Sequence, residues 1–426
     1  MKLDVYAERE GAQVRVGTVD AANASNEQFE YSRSWLERSD ARPLSLSLPL
    51  REGPFSAQAS SAYFDGLLPE GTARDDAASA TRMSARWSAK LLEALGSECI
   101  GAVSLRNHED DADEAYVALS ESDLNALSRH ASKTAATINA RNRVSLPGPR
   151  PKVALYRADD GGWFEPRGGA PSTHIVKPLI PEFKNIQLNE AICQMTATVC
   201  GLPVPDADIL PADVPMFSIR RFDRVDAADS REIDGHSVPA RLHQESFSQA
   251  LGISADSASE NDGSRSLQRA VAAIRGYSTR PVDDLRNLWS AVTFNYLIGN
   301  CAASLNSLSF IRDESWQELR LAPFYGMSCT EVYDVRPEGL AMPIGGIRAI
   351  ERIDRAAFER EAVSLHIAPR EALRIVDRYA AIVPDAIRDV SRAIADVGFA
   401  GAAQIGDAIA SGAQIRAAAL RQKPSW

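Results

Sequence analysis

The chain has 426 residues and is 45% hydrophobic and 24% charged, which predicts two or three lobes of ordinary globular composition. Its net charge of −10 argues against a surface that grips nucleic acid unaided. No apolar run is long enough to span a bilayer, the first residues lack a signal-peptide core, and five unpatterned cysteines fit a reducing cytoplasm.

Residues 1–107 read as a small α+β lobe. Leu3 to Ala7 and Gln13 to Val19 alternate as strands do, around a turn at Gly11. Tyr31-x-x-x-Trp35-Leu36 follows, then Pro43 to Leu50, which alternates again and reads as a strand closed by Pro49. Phe64-x-x-Leu67-Leu68-Pro69-Glu70-Gly71 comes next. A helical pattern over Ala89 to Leu95 leads into Gly96-x-x-Cys99-x-Gly101-Ala102. Residues 108–140 are polar, with an acidic run from Glu109 to Glu114, and are expected as a solvated connector with one short helix.

A second lobe, 141–265, opens on Val144 to Leu155, where Gly148 turns between two strand-like pieces and Lys152 begins the second. Amides of such a loop can cradle phosphate beside a lysine, but three prolines remove donors, and by residue chemistry alone a β-turn suffices. Thr173 to Lys177 is a strand, and a helix runs from Leu188 to Cys200. A strand lysine with a helix glutamate, here Lys177 and Glu190, is how kinases hold ATP phosphates; an ion pair without a ligand is the plainer alternative. His174 has no Cys or His neighbour and reads as a packed histidine. Phe217 to Arg224 reads as a strand and bend, and Arg241 to Gly252 as a strand entering a helix.

Residues 266–426 are mostly helical. The apolar run Trp289 to Ile298 stops at Gly299, and a polar loop follows. A strand-like Leu308 to Ile311 and a second strand entering Pro323 to Tyr325 come next. Ala356 to Ile367, Pro369 to Ile382 and Asp385 to Val397 read as three helices, punctuated by Pro369, Pro384 and Gly398. The Ala-rich stretch Gly406 to Leu420 is a further helix with a face open to a partner.

In this order the motifs resemble the HipA family, toxins of type II toxin–antitoxin systems with a Ser/Thr protein-kinase fold. The motifs of residues 31–102 are similar to the family's N-terminal lobe, Ser145-x-x-Gly148-x-x-x-Lys152 to its phosphate loop, and Thr173-His174-Ile175-x-Lys177 with Asn189-Glu190 to its phosphate-holding pair. Arg221-Phe222-Asp223-Arg224 looks like the hinge that holds adenine. The resemblance implies an α+β fold: a two-lobed, protein-kinase-like body with an N-terminal α+β lobe and a mostly helical C-terminal lobe. It also implies nucleotide contacts at Gly148, Lys152, Lys177, Glu190, Arg221, Phe222 and Asp223, and autophosphorylation at Ser145.

The departures fall on the chemistry. Family members have Gly-Asn-x-Asp-x-His-x-x-Asn-x-Ser in one loop and Pro-x-Tyr-Asp in another. This chain has Ala302 at the catalytic aspartate, Ser304 at the histidine, Ser307 at the metal-binding asparagine and Gly326 at the metal-binding aspartate. A register shift would let Asn306 recover one ligand but no base. Arg220 replaces the hinge glutamate, Ser246 an aspartate and Ser248 a cysteine. Magnesium needs hard oxygen ligands, and phosphoryl transfer needs an acceptor for the hydroxyl proton. No catalytic residue or metal ligand is therefore assigned, and ATP binding is expected to be weak or lost. Lys152 and Lys177, with Arg220 and Arg221, are expected to leave the cleft positive.

Two functions follow from the resemblance. One is a pseudokinase that docks on a HipB-like helix-turn-helix antitoxin or another protein and touches nucleic acid only through it. The other is a working kinase toxin that phosphorylates an aminoacyl-tRNA synthetase and arrests growth.

Overall fold

A computed structural model describes residues 1–24, 26–107, 113–129, 131–226, 230–254, 265–334 and 337–421. The early alternation makes an antiparallel meander: β1 (Lys2–Arg9), β2 (Ala12–Asn23) and β3 (Asn26–Tyr31), with β4 (Val103–Arg106) on the other side of β1. Leu3, Val5 and Ala7 turn inward with Val16, Val19 and Phe29, and the helices Ala57–Phe64 and Ser88–Leu95 supply Phe64, Leu91, Leu92 and Leu95 to the same core. Pro43 to Leu50 does not form the expected strand and keeps only an isolated bridge between Ser45 and Leu48. The Glu245 carboxylate occupies its polar groups instead, accepting from the Leu46 amide at 3.1 Å and the Ser45 hydroxyl at 2.5 Å.

The expected connector is part of a second sheet. Its strand β5 (Ala115–Ala118) joins β6 (Val153–Arg157), β7 (Trp163–Arg167), β8 (His174–Lys177), β9 (Ala207–Leu210) and β10 (Met216–Arg220) in the order β5-β7-β6-β8-β10-β9. Two helices, Glu121–Arg129 and Ala131–Asn142, replace the single short one, and Leu127 and Ala135 pack with Val153, Leu155, Trp163 and Val176. Segments this short carry too few apolar positions to show a period, so their burial was hidden in the sequence. Residues 109–112 of the acidic run lie outside the described residues.

Two compact units interleave along the chain. The first comprises Met1–Ile180, Leu210–Ala255 and Ser309–Leu319; the second comprises Pro181–Ile209, Asp256–Leu308 and Arg320–Trp426. These bounds differ from the expected breaks near 107, 140 and 265. The first 107 residues share a unit with the second sheet, while the helix Ile186–Val199, which carries Glu190, belongs to the helical unit. In that unit Pro369–Asp396 is one helix of 28 residues rather than two, with Pro384 inside it. Proline there removes a hydrogen bond, but Ala372, Val376, Tyr379, Ala380, Val383, Ile387 and Ile394 form one continuous buried stripe on both sides of it. The Ala-rich helix Gly401–Arg421 packs along that helix, burying Ile405, Ile409, Ala413, Ala417 and Leu420 within the unit.

Candidate functional site

Strand register gathers Lys152 and Lys177 of the first unit. Val153 of β6 pairs with Val176 of β8, so Lys152, one residue before it, and Lys177, one residue after, fall at the same end of adjacent strands. Lys177 is itself opposite Phe217 of β10, and its ammonium lies 5.5 Å from that ring's centroid. The Lys152 ammonium donates to the carbonyl of Pro147 and steadies the Gly148 turn. The Leu67–Gly71 motif holds the same turn from the other side: Pro69 bridges Gly148, and the Glu70 amide donates to the Gly148 carbonyl at 3.2 Å. Ser145 is fully buried, its hydroxyl donating to the Leu67 carbonyl at 2.7 Å and its amide to the Glu98 carbonyl at 2.9 Å. A phosphoryl group reaches that hydroxyl only if the turn opens.

His174, at the far end of β8, packs edge-on against Trp163 and hydrogen-bonds Thr173 at 2.9 Å. Burial, with Arg157 and Arg220 nearby, pushes its pKa down to about 4, so it is the packed neutral histidine expected. Arg220 pairs in register with His174, three residues from Phe217 and so about 10 Å along the strand from Lys177. Its guanidinium is bonded to Asp226 at 2.8 Å. The expected extra positive charge beside the lysines is therefore not supplied by Arg220, nor by Arg221.

Arg221 and Asp223 lie in a buried ionic seam. Arg221 donates to Glu98 at 2.8 Å and through two nitrogens to Asp223 at 2.9 and 2.8 Å, while Arg224 donates to Glu98 at 2.8 Å. Asp223 also accepts from the Gly101 amide at 2.6 Å and from Gln244 at 2.8 Å. These four charged side chains are at most 2% exposed. Burial alone would raise both carboxyl groups, but Arg221 and Arg224 outweigh it and hold Glu98 and Asp223 below the usual carboxylate range. Gly101 must be glycine because a Cβ there would lie 2.7 Å from the Gln244 amide nitrogen. The seam joins two stretches distant in sequence, Gly96–Ala102 and Arg221–Arg224, within the first unit. Phe222, between them, is half-buried.

A second contact of this kind went unread in the sequence. His243 stacks on Trp316 with centroids 4.4 Å apart and bonds the Leu44 carbonyl at 2.8 Å, and Arg9 lies 5.8 Å from the rings of both Trp35 and Trp316. Beside it Glu245 is buried; burial pushes its pKa up to about 7 despite the Ser45 hydroxyl and nearby Arg312. No spacing rule links residues 44–46 to 243–245; only the fold brings them together.

In the second unit, Pro281–Ile298 ends on Gly299 in the left-handed conformation, and the Gly299 carbonyl accepts from the Thr330 amide and hydroxyl at 2.9 and 3.0 Å. Ala302 is exposed. Ser304 and Ser307 bracket a single turn: the Ser304 hydroxyl accepts from the Asn306 amide at 3.3 Å, and the Ser307 hydroxyl from the Ser304 amide at 3.4 Å. The two serines thus stabilise their own loop. Tyr325 donates to the Asn306 carbonyl at 3.4 Å, and Gln194 to the Phe324 carbonyl at 3.1 Å. Gly326 has a φ of 67°, and no heavy atom lies within 4 Å of where a Cβ would stand. On Ile186–Val199, Glu190 is buried beside Asn189, which exchanges 2.8 Å hydrogen bonds with the backbone of Cys329. Among the described residues no three His, Cys, Asp or Glu are grouped to hold a metal, and no helix is long and apolar enough to cross a membrane.

The chain is similar to known proteins over most of its length. "Putative kinase Y4mE" of Sinorhizobium fredii is 32% identical over 377 residues, covering 85% of this chain and 87% of that protein. "Putative kinase Y4dM" of the same organism is 24% identical, covering 72% of each. The solved HipA from the Shewanella oneidensis toxin–antitoxin complex of HipA, HipB and operator DNA superposes with a TM-score of 0.79 at 21% identity, covering 98% of this chain and 97% of that one. That likeness bears out the expected α+β, HipA-like fold. Residues 3–106 match the HipA N-terminal domain and residues 144–387 the HipA-like C-terminal domain. Both halves of the sequence thus match in the order their motifs suggest, and the chain belongs to the HipA family.

Proposed function

We propose that this chain is a HipA-family pseudokinase that acts by binding and not by metal-dependent phosphoryl transfer. The observation that carries the reading is the closed turn at Ser304–Ser307, whose hydroxyls satisfy loop amides where the family has a histidine and an asparagine. With Ala302 and Gly326, no side chain in these loops supplies a carboxylate for a proton or a divalent ion. Lys152 and Lys177 still place positive charge at one strand end. Without carboxylates to repel them, nucleotide phosphates need no metal for charge balance. ATP binding is accordingly weak and nearly independent of magnesium. Arg221 and Asp223 contribute to it only by holding the backbone, because their side chains are engaged in the seam.

The functional partner is a small helix-turn-helix protein of the HipB kind, the company in which the Shewanella HipA was solved, with any contact to DNA made through that partner. Calorimetry with ATP, with and without magnesium, tests the reading. Weak heats unchanged by a chelator support it. Tight binding that vanishes with the chelator and releases phosphate returns the chain to the active kinases, the class that the names of the Sinorhizobium relatives suggest.

A further inference from the structure

The Ala-rich helix Gly401–Arg421 does more than cover a core stripe. Arg416 on it donates from Nε to the Leu297 carbonyl at 2.9 Å. Leu297 is in the last turn of Pro281–Ile298, where carbonyls have no partner within their own helix and a cation is favoured by the helix dipole. A helical side chain leans toward the N-terminus, over the residue four before it. For Arg416 that residue is Gly412, and a Cβ there would lie 2.8 Å from Nη2 and 3.2 Å from Nη1. On the other side, a Cβ at Gly299 would lie 2.9 Å from the same Nη2. The guanidinium is thus seated between two glycines, one on each element. Nη2 is buried and has no hydrogen-bond partner among the described residues. Burial raises the pKa of Tyr296, Cys301 and Cys329, and Arg416 pulls against it at all three, so its charge lies close to both loops.

We propose that Arg416 is a positioning residue: through it the C-terminal helix fixes the end of Pro281–Ile298 and with it the loop Asn300–Ser307. Gly412 is the vacancy that admits it. This holds whether or not the chain binds a nucleotide, so it stands apart from the reading above.

Gly412→Ala gives the sharpest test. Alanine is the better helix former, so a glycine with no role predicts a higher Tm and an unchanged loop. A glycine that seats the guanidinium predicts amide exchange in Asn300–Ser307 faster by about tenfold, with other protected amides unmoved and no gain in Tm. Arg416→Ala should loosen the same amides, and the double variant no more than Arg416→Ala alone. A Gly412→Ala chain that fails to fold but is rescued by adding Arg416→Ala supports the proposal. A higher Tm with unchanged loop exchange, additive effects in the double variant, or failure to rescue overturns it.

Discussion

The ionic seam of the first unit and the two loops of the second carry family motifs of similar length, and they have fared oppositely. In the seam Arg221, Asp223 and Arg224 resemble the family's hinge motif, and with Glu98 they are buried and mutually paired. In the loops Ala302, Ser304, Ser307 and Gly326 depart from it, and Ala302 is exposed. A buried charge that loses its partner costs several kcal/mol, whereas a side chain at the rim of a loop is lost at almost no cost to folding. Substitution in the loops is therefore tolerated by the architecture far more readily than substitution in the seam.

The largest effect should come from breaking the seam. Asp223→Ala leaves Arg221 and Arg224 buried with one carboxylate between them, and should cost about 3–5 kcal/mol. Thermal unfolding should show the loss, and a change within the error of a surface variant would mean that the seam holds the fold no more firmly than the loops do.

Acidity should separate the seam from the Glu245 pocket. Glu98 and Asp223 have lowered pKa values, so their stabilisation is present at neutral pH and is lost as pH falls through their folded values. Glu245 titrates near 7 when folded, above its ordinary value of 4.5. The protonated folded form is therefore favoured at low pH. That contribution is fully present below about pH 4.5 and fades as pH rises to about 7, by a few kcal/mol in all. In denaturant titrations across this range Glu245→Gln should flatten the decline. An identical slope in the variant would assign the decline to other groups.

A smaller effect concerns the lysines. Lys177→Ala should weaken ATP binding about tenfold or more, the weight of one charge-assisted hydrogen bond, with or without magnesium. Calorimetry that shows no change would place the phosphates elsewhere.

The smallest change in stability is expected where the chemistry is restored. In the pair Ala302→Asp with Gly326→Asp, a side chain at 326 enters open space, and the strain is that of its φ of 67°, a left-handed backbone that aspartate bears better than most residues. Tm should shift by no more than about 1–2 kcal/mol allows, while ATP binding should become magnesium-dependent. Binding that still ignores magnesium would show that the serine turn, and not the missing acids alone, closes the site.

Much of this was legible in the sequence. Alternation gave β1 and β2, and the end of the long apolar run gave the Gly299 cap. These are local signals, set by the backbone repeat or by short spacing. The misreadings were failures of locality: Pro43 to Leu50 lost its strand to a carboxylate about 200 residues away, Pro384 was tolerated because one apolar stripe runs past it, and the connector became a sheet strand with two helices. The sequence by itself determined the elements with a clear local period, and which residue types stand in the loops. Tertiary structure decided which charges meet: Asp223 accepts from the Gly101 amide across 122 residues, and Arg416 reaches the Leu297 carbonyl across 119. The reason is physical: a side chain's period shows which face it takes, but whether its charge is paired depends on a partner that only the folded chain brings within hydrogen-bond distance.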